Sequence, residues 1–166
     1  MSWEDRIEVQ KGDLGELLVD EYIKSKGVVP YKPDADQAHP FDRLCASRDK
    51  KTLYIAEVKS KAKRKYYPDT GIDIRSYNGY KEIQEKYKIN VFMYFVDDEM
   101  GLIYGGPLNR ISKKHTILHN NKHLEYPITM KDIIYFPLKL MKQVAQINKE
   151  NISKLTSLTT KNTKYL

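Results

Sequence analysis

Apolar and polar positions alternate along the chain with two different periods, and the switches between them mark out the elements. Over residues 11–26, Leu14, Leu17, Leu18 and Tyr22 recur at three- and four-residue spacing, and Gly27 supplies a stop, so a helix is predicted. Asp13, Glu16 and Asp20 fall at the same spacing on another face of that helix. The stretch 28–36 contains two prolines and breaks regular structure. Residues 41–45 and 52–59 read as two strands joined by a polar turn. Residues 60–76 read as a long basic loop punctuated by Pro68 and Gly71.

Tyr77, Tyr80, Ile83, Gln84 and Tyr87 fit one face of a second helix. Residues 91–96 form a near-continuous apolar run, the pattern of a central strand covered on both faces. A turn at 97–101 returns the chain into a strand at 102–104. Two short apolar stretches within 113–128 flank Asn120-Asn121-Lys122, a hairpin signal. Residues 133–138 are expected to add an edge strand and 138–158 a final helix. The order of elements gives an α/β (α+β mixed) chain with a mixed sheet. One domain is expected over 1–150, followed by a polar, basic, flexible tail over 151–166.

Composition narrows the class. The 166 residues are 40% hydrophobic and 31% charged, a globular composition with room for one core. No apolar run approaches the ~20 residues needed to span a bilayer, and the first residues hold no secretory h-region. The single cysteine, Cys45, excludes an internal disulfide framework and fits a reducing compartment, so a cytoplasmic location is expected. The net charge of +7 favours a polyanionic partner. Lys59, Lys61, Lys63, Arg64 and Lys65 concentrate part of that charge directly after the second strand.

Candidate chemistry lies in the segments His39-Pro40-Phe41-Asp42 and Ile55-Ala56-Glu57-Val58-Lys59. Alternate residues of a strand share a face, so Glu57 and Lys59 project together. An acidic pair can hold a hard divalent cation through oxygen, and a lysine beside it can orient a water. That grouping is what phosphodiester hydrolysis requires.

An acidic helix with Gly12-Asp13-Leu14-Gly15-Glu16, an apolar-Asp strand, then Glu57-Val58-Lys59, a helix and a buried strand resemble the PD-(D/E)XK nuclease superfamily. Together with Tyr67-Pro68-Asp69-Thr70-Gly71-Ile72, these segments look most like small phage or bacterial nuclease-like proteins. The resemblance covers residues 11–105 and implies a restriction-endonuclease-like core: a central mixed sheet flanked by helices, here with an added C-terminal hairpin and helix. It implies Mg²⁺ or Mn²⁺ held by Asp42, Glu57 and the Val58 carbonyl, with Glu16 binding a second ion or a metal-bound water. Lys59 would position the attacking water. Tyr80 or Gln84 would stand near the phosphate, and Lys61, Lys63, Arg64, Lys65 and Arg75 would hold the backbone of DNA. Pro40 is separated from Asp42 by Phe41, a variation that leaves the acid in place. A homodimer is common in such folds, and residues 113–138 offer a place for its interface. The rival readings are a nucleic-acid-binding protein that keeps this fold without turnover, and an accessory protein working through protein contacts.

Other signals point elsewhere. His115, His119 and His123 recur every four residues, but the β-like flanks favour surface histidines over a zinc stripe. His39 is expected to hold its loop, Cys45 to be a buried, inert thiol, and Tyr66-Tyr67 to offer base-stacking rings. The chain holds neither a P-loop nor a dinucleotide glycine fingerprint, nor a Gly-x-Ser-x-Gly elbow.

Overall fold

The computed structural model of the protein describes residues 6–34 and 39–162. Its elements run α1 (Ile7–Ser25), β1 (Val29–Tyr31), β2 (Arg43–Ala46), β3 (Leu53–Ser60), β4 (Asp69–Asp73), α2 (Ile74–Tyr87), β5 (Asn90–Asp97) and β6 (Leu102–Pro107). There follow α3 (Leu108–Ile111), β7 (Thr116–His119), β8 (Lys122–Leu124), β9 (Ile133–Pro137), β10 (Lys142–Gln146) and α4 (Lys149–Asn162). The strands form two sheets, one of order β1-β2-β3-β5-β6-β10 and a smaller one of order β4-β9-β7-β8. Among the described residues no helix is long and apolar enough to cross a membrane.

The main sheet is mixed because β3 and β5 pair in parallel while its other neighbours are antiparallel. A parallel pair needs a crossover, and β4 with α2 supplies it. The two central strands are covered on both faces, so Ile55, Ala56, Glu57 and Val58 are all buried in succession. Alternation in β5 divides the core. Val91, Met93 and Phe95 face α2 and the smaller sheet, whereas Tyr94 and Val96 face α1 and α4. Ile55 lies on the α2 side, which by alternation is also the side of Glu57 and Lys59.

Two glycines allow close approaches on which the site depends. A Cβ at Gly15 would strike the Ser60 side chain, so glycine lets α1 settle onto the end of β3 and bring Glu16 with it. A Cβ at Gly71 would run into the Ile134 carbonyl of β9, so glycine admits β4 to the smaller sheet.

The structure departs from the sequence expectations in several places. Half of the expected basic loop is strand β4 plus the start of α2, because Asp69–Asp73 pairs with β9. The expected edge strand at 133–138 is internal, lying between β4 and β7. The Pro-rich stretch contains β1, and Pro30 is tolerated there because β1 is an edge strand. The hairpin of β7 and β8 forms as expected, with Asn120 and Asn121 at φ 46° and 62°.

The final helix begins at Lys149, since 138–146 instead makes a short 3₁₀ turn and the edge strand β10 beside β6. Residues 151–162, expected as a flexible tail, continue α4, and Leu155 is fully buried against the α1 face of the sheet. The rest of that expected tail, 163–166, lies outside the described residues. Leu155→Ala should therefore cost about 2–5 kcal/mol in urea unfolding; a loss below about 0.5 kcal/mol would show that this helix does not belong to the fold.

Candidate active site

The register of β2 on β3 builds the site. Arg43 lies opposite Ala56, so Asp42, one residue before β2 begins, comes beside Glu57. The two acids are locked by reciprocal hydrogen bonds. The Asp42 N–H donates to Glu57 Oε2 at 3.1 Å, and the Val58 N–H donates to Asp42 Oδ2 at 2.7 Å. Glu57 is only 3% exposed, a position that a carboxylate holds only when it is paired. Lys59 Nζ donates to its Oε1 at 2.7 Å, and the Tyr80 hydroxyl of α2 donates to the same oxygen.

Charge follows from this packing. Burial, and then the neighbouring Glu57, push the Asp42 carboxyl up from 3.8 to about 6. For Lys59, burial works against the charged form, but the Glu57 partner, with Asp42 and Asp73 behind it, prevails and raises the ammonium above its usual range. Burial and the Glu57 charge push Tyr80 well above the ordinary phenol range, which keeps it a donor.

Glu16 adjoins this cluster through an arginine. Arg43 is 4% exposed and donates Nη1 to Glu16 Oε2 at 2.9 Å and to the Asp42 carbonyl at 2.7 Å. Its Nε and Nη2 bind Asp20 at 3.0 and 2.9 Å. Burial, followed by the Asp42 charge, raises the Glu16 carboxyl even against this ion pair. Among the described residues no three acidic, histidine or cysteine side chains form a ready-made metal cage.

The donors that do converge are oxygens, suited to a hard cation such as Mg²⁺ or Mn²⁺. They are Asp42, Glu57 and the Val58 carbonyl. In an extended strand a residue's N–H and C=O project to the same side, and the Val58 N–H points at Asp42.

Of the expected site residues, Asp42, Glu57, Val58, Lys59 and Tyr80 come together, and Glu16 lies one arginine away. Gln84 does not join them. Its amide donates to Asn109 Oδ1 at 3.0 Å, and its carbonyl accepts the Val91 N–H at 3.0 Å, so it fastens α2 to the start of β5. Arg64 is likewise committed, paired with Asp69 at 2.5 and 2.6 Å and stacked on the rings of Tyr135 and Tyr67.

Lys61 donates to the Gly71 carbonyl at 3.1 Å and lines, with Lys59 and Asp73, a cavity of about 300 Å³ beside the cluster. Lys63 is partly buried, with its N–H on Asp97; Lys65 and Arg75 are exposed. His39 holds its loop as expected, with Nδ1 2.6 Å from the Phe41 carbonyl. Cys45 is buried, its thiol pushed up to about 11 chiefly by burial, which leaves it inert.

Sequence reasoning missed Arg43 and Asp73. An arginine directly after the candidate acid, with Glu16 and Asp20 four residues apart on α1, was the available signal for the first. Asp73 caps α2 by accepting from the Ser76 N–H at 2.8 Å, and Asp-x-x-Ser at a helix start was the signal for the second.

The core sheet, its parallel centre and the flanking helices define the restriction-endonuclease-like fold. One solved structure with this architecture is Archaeoglobus fulgidus Hjc, a Holliday junction resolvase from an archaeal hyperthermophile. The two chains superpose with a TM-score of 0.54 at 11% identity, over 81% of this chain and 97% of that one. No protein-family model and no curated protein matches the sequence.

The elevated Asp42 pKa carries a stability consequence. Between pH 4 and 6 the folded state keeps a proton that the unfolded chain has released, so this group's contribution falls as pH rises through that window. The displacement from 3.8 to about 6 amounts to on the order of 2 kcal/mol after allowance for solvent screening. In chelator at pH 7.5, Asp42→Asn should melt roughly 4–8 °C above wild type, with the gap closing near pH 4. An Asn variant that melts no higher at pH 7.5 would refute the account of a carboxylate destabilised by burial and by its neighbour Glu57.

Proposed function

We propose that this protein is a metal-dependent nuclease that hydrolyses phosphodiester bonds of DNA. The observation that carries the reading is the convergence of Asp42, Glu57 and Lys59 where β2 and β3 leave the centre of a restriction-endonuclease-like sheet. The likeness to a junction resolvase supports a DNA substrate. Asp42, Glu57 and the Val58 carbonyl would hold Mg²⁺ or Mn²⁺, with Glu16 at the outer side. Such an ion, when bound, supplies Lewis-acid activation of a water and neutralises charge on the phosphate.

The chain's own residues do the remainder. Lys59 orients the attacking water and offsets charge that builds on the phosphate oxygens. The Tyr80 hydroxyl keeps Glu57 turned toward the cluster, so Tyr80 acts by positioning. Arg43 holds the Asp42 backbone and Glu16 in one frame. Lys61 lines the cavity, Arg75 a hollow beside it, and these two with Lys63 and Lys65 would hold the phosphate backbone. We place the activity in the cytoplasm of a bacterial or phage-infected cell. A homodimer would form through the 113–138 region, where β8 is an open sheet edge.

One observation favours the second reading, a DNA-binding protein of this fold without turnover. Glu16 is engaged by Arg43, and the described residues lack a preassembled three-ligand cage. Cleavage assays separate the two. With Mg²⁺ or Mn²⁺, wild type should nick or trim DNA, and Asp42→Ala, Glu57→Ala and Lys59→Ala should each lower the rate about 100-fold or more. Cleavage surviving all three substitutions removes this site; salt-dependent binding with no cleavage in either metal selects the second reading.

A further inference from the structure

The smaller sheet holds a side-chain pair that phosphodiester cleavage does not use. His119 ends β7, and its Nδ1 lies 2.5 Å from Asp132 Oδ1. Asp132 is buried and receives three further hydrogen bonds. The Ile128 and Thr129 N–H groups donate to Oδ2 at 2.6 and 2.9 Å, and the Thr129 hydroxyl donates to Oδ1 at 2.9 Å. Burial alone would raise this carboxyl, yet bonds from Thr129, His119 and Ile128 hold it well below the usual carboxylate range. The turn is a socket that fixes an ionised carboxylate behind one edge of the imidazole.

The other edge of the ring is open. The His119 side chain is 32% exposed, and the side-chain N–H of Asn120, an exposed turn residue, lies 3.1 Å from Nε2, which accepts in this contact. With Nδ1 committed to Asp132, Nε2 is the ring atom left for a partner outside the socket, and a ring carrying both protons would offer an N–H there in place of the Asn120 contact. The turn keeps three of its four bonds to Asp132 without the imidazole, so closing the turn does not account for the histidine.

His119 faces a cleft of about 580 Å³ that is also lined by Asn121, Lys131 and Tyr135. This cleft neighbours the acidic cluster's surroundings through shared lining residues. It shares Lys131 with a hollow formed by Asp73, Arg75 and Met130, and Ile133 with the cavity beside Lys59 and Lys61. The two acids along the way are both occupied, Asp73 as the α2 cap and Asp132 as the base of the socket. Along these hollows Lys59, Lys61, Arg75 and Lys131 stand against Asp73 and Asp132, so basic side chains outnumber acidic ones.

We propose that His119 and Lys131 form a phosphate-binding subsite, taking a backbone phosphate of the nucleic-acid strand bound at Asp42 and Glu57. This rests on the nucleic-acid reading above but not on turnover. The imidazole, anchored from behind by Asp132, gives a directed N–H, and Lys131 adds an unanchored charge beside it.

Fluorescence anisotropy with the full chain in chelator at pH 6, using single-stranded and duplex DNA of about 20 nucleotides, tests it without cleavage. His119→Ala and Lys131→Ala should each weaken binding severalfold and lower the slope of log affinity against log salt by about one. His119→Lys, which places an N–H donor cation over Asp132, should restore both relative to His119→Ala, a recovery that a merely structural role would not give. Unchanged slopes in both alanine variants would overturn the subsite, and so would failure of wild type to bind either DNA at low salt. A protein that binds with a His119-dependent slope but never cuts supports the subsite and sinks the nuclease. One that cuts with an unaffected slope does the reverse.

Discussion

Two carboxylates held side by side under partial burial are the constraint to which the rest of the molecule answers. Left alone, Asp42 and Glu57 would repel each other and their strands would separate. The β2–β3 register forces them together, the Val58 N–H and the Asp42 N–H bind one carboxylate each, and Lys59 and Tyr80 converge on a single Glu57 oxygen. Burial first, and then the residual repulsion from Glu57, appear as the raised Asp42 pKa. A site that stores like charge in this way sacrifices stability in the absence of a counter-ion and gains affinity for one.

The frame behind the pair has its own electrostatic logic. Arg43 is buried because three acidic or carbonyl acceptors surround it: Asp20, Glu16 and the Asp42 carbonyl. Removing any one acceptor leaves a guanidinium short of partners, which costs more than the net worth of the pair itself. Helix α1 can supply two of those acceptors only because Gly15 lets it lie on Ser60. Sequence, helix packing and site geometry are thus tied through one glycine and one arginine.

Much of this was legible in the chain. The apolar alternation around Glu57-Val58-Lys59, the continuous run of β5 and the Asn-Asn turn each carry a strong local signal, and each element formed where expected. The assembly of the second sheet was not legible, although its hairpin and the strand at 133–137 were expected. Asp69–Asp73 and Ile133–Pro137 are short, and their partner lies more than sixty residues away, so only tertiary pairing shows that 69–73 is strand rather than loop. Polar β10 was read as helix for the same reason, since its identity comes from β6 beside it. Gln84 was placed at the phosphate by the resemblance and its helix position, and Arg64 by its place in the basic segment. Their partners, Asn109 and the Val91 N–H for one and Asp69 with two tyrosine rings for the other, come from the packing of distant elements.

The central claim is that Asp42 and Glu57 form a strained acidic pair waiting for a divalent cation. Calorimetric titration of Mn²⁺ at pH 6, in buffers of different ionisation enthalpy, tests it most directly. Because Asp42 titrates at about 6, binding should release about half a proton or more per ion, with release fading toward pH 8 and binding lost in Asp42→Asn. Binding that releases no proton at pH 6, or that is unaltered in Asp42→Asn, would contradict the account.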